Sequence, residues 1–190
     1  MNTAAKAGTG MSMQKAPHLI EGSGSISALP EYIRAQGVHT VLIVTDHIVP
    51  GDTISDMLLA ALHAQGITYA IYTETCRDAT SEHVEEVAEL YRTTDCEGII
   101  AFGSESCIAC GKAAAARISQ PFSPLKRLAG KFGIRRRMVP LYAVPTVGSA
   151  DSATSGEALV TDSQSNHRFS LRNSCLIPDA AIFDSMIFTG

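Results

Sequence analysis

A mostly parallel α/β sheet flanked by helices is the fold this sequence predicts, on three observations. Residues 40–45 read Thr-Val-Leu-Ile-Val-Thr, an apolar run without polar alternation, as a parallel strand covered on both faces requires. Runs of this kind alternate along the chain with segments whose apolar residues recur at helical spacing. Two of the runs, 98–102 and 139–144, lead directly into small-residue loops, Gly103-Ser104 and 145–152. Strand and helix alternating at this spacing argue for right-handed crossovers between parallel strands.

The elements follow in order. After the first run, residues 53–65 place Ile54, Met57, Leu58, Ala61 and Leu62 on one stripe, and Gly66 stands where a helix-ending glycine belongs. Residues 68–72 form the next strand. Ser81 caps a helix with Val84, Val87, Ala88 and Tyr91 inward and Glu82, Glu85 and Glu86 in its early turns. The run 98–102 leads into an Ala-rich helix ending near Ile118. Residues 120–137, with Pro121, Pro124, Gly130 and Gly133, interrupt the rhythm as an irregular excursion. Residues 157–161 and 180–183 read as further strands, joined as a hairpin at the sheet edge.

The bulk composition narrows the function classes. At 190 residues, 45% apolar and 18% charged, the chain suits one globular domain with a sizeable core. A net charge of −4 with interspersed signs gives no support for nucleic-acid binding. The basic cluster Lys126, Arg127, Lys131, Arg135, Arg136 and Arg137 reads as a solvated face. No apolar run approaches the roughly 18 residues of a membrane span. Residues 1–17 lack an apolar signal core and are expected as a disordered tail, leaving 18–190 as the folded domain. Five cysteines without framework spacing point to a reducing cytoplasmic setting. Cys107-Ile108-Ala109-Cys110 has the spacing of a thiol-redox pair, with small space-filling helix residues as the plainer reading.

Ligands of open α/β sheets gather beyond the carboxyl ends of the strands. Asp46 ends the first strong run, where a carboxylate accepts bonds from ribose hydroxyls and repels a 2′-phosphate. Gly103 and Ser104 open a helix whose free N–H groups favour a pyrophosphate. Thr146, Ser149 and Ser152 add hydroxyl donors in a third small-residue loop.

Several stretches together resemble the iron-containing (group III) alcohol dehydrogenases, over essentially residues 19–188. Gly22-Ser23-Gly24-Ser25 with Leu29-Pro30 resembles that family's opening hairpin and first helix. Leu42-Ile43-Val44-Thr45-Asp46 resembles its first nucleotide strand, and 99–104 the strand entering its Gly-Gly-Gly-Ser loop. Ala143-Val144-Pro145-Thr146 resembles the start of Pro-Thr-Thr-x-Gly-Thr-Gly-Ser-Glu, with Thr161-Asp162 at the matching distance. Residues 176–184 resemble Leu-x-Pro-x-x-Ala-x-x-Asp-Pro.

The resemblance implies a Rossmann-like dinucleotide-binding domain and an NAD- or NADP-dependent oxidoreductase interconverting alcohols and aldehydes by hydride transfer. It puts Asp46 on the adenosine ribose and Gly103 and Ser104 on the pyrophosphate. Thr146, Ser149 and Ser152 then serve the phosphates and the nicotinamide side, with Arg168 near a cofactor-holding Lys of the family. It also implies Fe²⁺ or Zn²⁺ held by an all-helical C-terminal domain. The chain is expected to be a truncated form missing that domain, because it stops at Gly190. None of His18, His39, His47, His63, His83 and His167 has metal-ligand spacing, so no metal site is expected in these residues. Expected partners are the nucleotide and a small alcohol or aldehyde if a metal domain completes the site. No nucleic acid and no membrane are expected, and a second copy of the chain is a further expectation.

Three departures favour the alternative of a non-catalytic or decayed module. Ala101 and Phe102 stand against loop glycines and are expected to crowd the phosphate loop. Ala109-Cys110-Gly111-Lys112 answers to Asp-x-Ala-Lys only with about two residues inserted. Asp151 replaces a glycine beside the phosphate, where like-charge repulsion costs about 1–3 kcal/mol.

Overall fold

The computed structural model describes residues 15–46, 51–74, 78–130, 133–134 and 138–188. Eight strands run in chain order as β1 (His18–Gly22), β2 (Thr40–Thr45), β3 (Thr68–Tyr72), β4 (Gly98–Gly103), β5 (Leu141–Pro145), β6 (Glu157–Thr161), β7 (Arg168–Arg172) and β8 (Ala180–Asp184). Among the described residues, six α-helices accompany them: α1 (Leu29–Ala35), α2 (Thr53–Ala64), α3 (Ser81–Thr93), α4 (Glu105–Ser119), α5 (Ala150–Thr154) and α6 (Ser185–Phe188). Six strands form one sheet in the order β1-β8-β5-β4-β2-β3, with every pairing parallel. The Rossmann-like α/β class expected from sequence is therefore the observed one.

Alternation along the strands divides the interior into two cores. Val41 and Ile43 of β2, with Ile100 and Phe102 of β4, meet Leu29 and Ile33 of α1 and Leu58 and Leu62 of α2. Leu42, Val44, Ile99 and Ala101 face the other way, onto Val84 and Val87 of α3 and the alanines of α4. Both faces of the central strands are thus dry, which explains why they carry no polar alternation.

The C-terminal third corrects the expected hairpin. β6 pairs antiparallel with β7 in a separate two-stranded ribbon, whereas β8 inserts parallel between β1 and β5. Ala180, Ala181 and Ile182 are all fully buried and suit an interior strand, while β6 alternates exposed and buried residues as a one-sided ribbon does. β1 is likewise a parallel edge strand and not half of a hairpin. Thr80, not Ser81, caps α3, its hydroxyl accepting from the His83 amide at 3.2 Å.

The excursion at 120–137 contains a 3₁₀ turn, Leu125–Leu128, that buries both leucines, and Gly130 bridges to Leu171. Lys126 pairs with Asp162 at 3.0 Å, while Lys131 and Arg135, Arg136 and Arg137 lie outside the described residues. Residues 1–14 also lie outside them. Lys15 donates to the Ile177 carbonyl at 2.8 Å and pairs with Asp179 at 3.3 Å. Among the described residues, no helix is long and apolar enough to cross a membrane.

Candidate dinucleotide cleft

Strand order fixes where a ligand can enter. The chain leaves β2 for β3 on one side and returns to β4 on the other, so β2 and β4 border a topological switch point. Asp46 immediately follows β2, Gly103 ends β4, and Ser104 is the N-cap of α4. The Asp46 carboxylate accepts from the Ser104 amide at 3.3 Å and from the Ser104 hydroxyl. Gly103 makes this approach possible. Its φ is +139°, and a Cβ there would lie 2.1 Å from the Asp46 Oδ1.

The loop after β5 is tied to the same point. The Thr146 amide donates to the Gly103 carbonyl at 3.0 Å. The buried Ser149 hydroxyl is turned inward, 2.9 Å from the carbonyls of Gly103 and Thr146. Asp46, Gly103, Ser104, Thr146 and Ser149 therefore form one bonded network. Ser152 lies on α5 and lines an adjoining cleft of about 330 Å³ with Glu105, Asp151, Ser155 and Glu157. Arg168 is not part of this network. It opens β7 and pairs with Asp78 at 3.0 Å, both side chains exposed.

Two readings of the loop are corrected. Ala101 and Phe102 belong to β4 and are fully buried in opposite cores, so neither crowds the strand end. No loop is inserted before Lys112 either, because α4 begins at Glu105 and runs unbroken to Ser119. The residues read as an insertion are the first turn of α4. Its first residue, Glu105, brings a carboxylate to the cleft that Ser152 also lines.

Lys112 is the group that sequence reading undervalued. Its side chain is fully buried, and Nζ donates to the carbonyls of Ser152, Ser155 (2.6 Å) and Glu157 (3.1 Å), with the Ser155 hydroxyl at 3.3 Å. The ammonium thereby satisfies carbonyls at the C-terminal end of α5 and holds it against α4. Burial lowers its pKa to about 8, against the opposing pull of Glu157 and Glu105. A lone lysine amid the alanines of an inward-facing helix was the available signal.

Cys107 and Cys110 are both fully buried, and burial pushes the Cys110 thiol well above its ordinary value. A reactive thiolate pair is disfavoured there. His18 stacks on Tyr32 with ring centroids 4.8 Å apart, His39 pairs with Glu97 at 3.4 Å, and His47 lies outside the described residues. Among the described residues, no three His, Cys, Asp or Glu side chains converge to hold a metal ion.

The family model described as iron-containing alcohol dehydrogenase matches residues 16–185. The probable alcohol dehydrogenase EutG of Salmonella typhimurium is 27% identical over 178 residues, covering 92% of this chain and 44% of the relative. Choline dehydrogenase of Bacillus subtilis is 28% identical over 165 residues, covering 86% and 41%. Among solved structures, a 1,3-propanediol oxidoreductase superposes with TM-score 0.86 at 23% identity, over 92% of this chain and 46% of that one. The alcohol dehydrogenase from Oenococcus oeni gives 0.84 at 25% identity, over 90% and 45%. The chain spans less than half the length of these relatives. With its switch-point cleft and a family match over nearly its whole length, the chain belongs to the iron-containing alcohol dehydrogenase family.

Proposed function

We propose that this domain is the dinucleotide-side half of an NAD(P)-dependent oxidoreductase interconverting alcohols and aldehydes by hydride transfer. The observation that carries the reading is the meeting of Asp46 with Gly103 and Ser104 at the switch point between β2 and β4. In this role Asp46 accepts from the adenosine ribose hydroxyls, and the amides at Gly103 and Ser104 face the pyrophosphate. Thr146 and Ser152 serve the phosphates and the nicotinamide side. Ser149 holds their loop to β4, and Arg168 stands near the position of the family's cofactor-holding Lys. The Asp46 carboxylate favours NAD over NADP by repelling a 2′-phosphate.

If a helical metal domain completes the site, Fe²⁺ or Zn²⁺ there would polarise the substrate carbonyl oxygen. The described residues gather no ligands for it, and their task is to bind and orient the nucleotide. A second reading, a non-catalytic module, is favoured by the carboxylates of Glu105 and Asp151 lining the cleft.

Calorimetric titration of the folded chain with NADH and NADPH tests the proposal. Binding in the micromolar to low millimolar range is expected, tighter for NADH, with Asp46→Ala abolishing that preference and Asp151→Gly tightening both cofactors. Absence of heat with either cofactor, from the wild type and from Asp151→Gly, would establish the non-catalytic reading.

A further inference from the structure

We infer that Ser104 is an affinity-determining residue: its hydroxyl latches the Asp46 carboxylate over Gly103, so the protein's own anion occupies the place a dinucleotide pyrophosphate would take. The inference rests on the functional reading above and adds a self-closing contact to it.

Three observations support it. The space beside the Gly103 Cα is not open, because Asp46 Oδ1 lies 2.1 Å from where a Cβ would stand. Ser104 occupies the N-cap of α4 yet makes no side-chain cap to that helix, its hydroxyl being given to Asp46. The contact also joins residues 58 apart in sequence, so it bridges two strand ends across the crevice and is not a local turn. The same bonds engage groups to which the functional reading gives other partners. The carboxylate assigned to the ribose hydroxyls is drawn over Gly103 by one bond at each oxygen, and the Ser104 amide that would face a phosphate faces that carboxylate. Lys112 supplies no relief, since its ammonium is committed to carbonyls below the cleft. Cofactor entry therefore requires the latch to open.

Ser104→Ala removes the hydroxyl while the longer amide contact remains, and costs α4 no side-chain cap. A charge-assisted hydrogen bond contributes on the order of 1.4 kcal/mol, which corresponds to about tenfold in affinity. NADH titrations followed by nucleotide fluorescence are therefore expected to show Ser104→Ala and Ser104→Gly binding about tenfold tighter than wild type. Ser104→Thr keeps a hydroxyl and is expected to show no such gain. Unchanged or weaker binding in both Ala and Gly variants, with wild type binding measurably, would overturn the latch and leave the nucleotide reading standing. No binding by any folded variant would overturn both.

Discussion

Lys112 carries a charge into an interior where its hydrogen-bond partners are carbonyls and a hydroxyl, all formally neutral. Its pKa of about 8 in the folded protein, against an ordinary 10.5, makes stability depend on pH. Between those values the unfolded chain still holds the proton and the folded chain has released it, so stability rises with pH across that window. The displacement corresponds to roughly 3 kcal/mol. Urea unfolding from pH 7.5 to 10.5 is thus expected to show wild type gaining on Lys112→Met by up to that amount; parallel pH profiles would count against it. At this scale the sequence was partly legible. Asp46, Gly103 and Ser104 were readable as strand ends, because apolar runs stop there. That they bond to one another was not, since the contact depends on β2 and β4 lying side by side.

At the level of elements, α4 and β4 owe their close approach to Gly111. A Cβ there would lie 2.8 Å from the Ala101 Cβ, an atom with no rotamer to escape through. Gly111→Ala gains about 1 kcal/mol of helix propensity. Overpacking against a fixed neighbour costs about 1–3 kcal/mol, so the clash prevails and a net loss near 1 kcal/mol is expected in thermal or urea unfolding. A stabilised variant would show that α4 can slide. The strong elements, β2, β4, α2 and α3, were legible because each buries a full face or stripe and so repeats with its own period. β7 was not seen, because Arg168–Arg172 buries only Leu171 fully and is defined by its partner β6. β1 was misread for the same reason: an edge strand with mostly exposed residues carries little pattern of its own.

Across the whole molecule, Asp184 ties the end of the last strand to the turn that follows the first. Fully buried, it accepts from the amides of Gly24, Ile26 and Met186, each at 3.0 Å. Asp184→Ala strands those donors and is expected to cost about 2–4 kcal/mol in urea unfolding, with Asp184→Asn costing less. Equal stability of Asp184→Ala and wild type would refute this role. Strand order was the least legible level, since β8 joins β1 and β5 through pairings that no local pattern encodes. The pairing of the first strand with the last also orders events in time. β2, β3 and β4 can associate while the chain is still being made. β1 must wait, exposed, until residues some 160 positions downstream have been synthesised. During that interval His18–Gly22 presents an unpaired strand edge, the period in which a nascent chain is most open to pairing with the wrong neighbour.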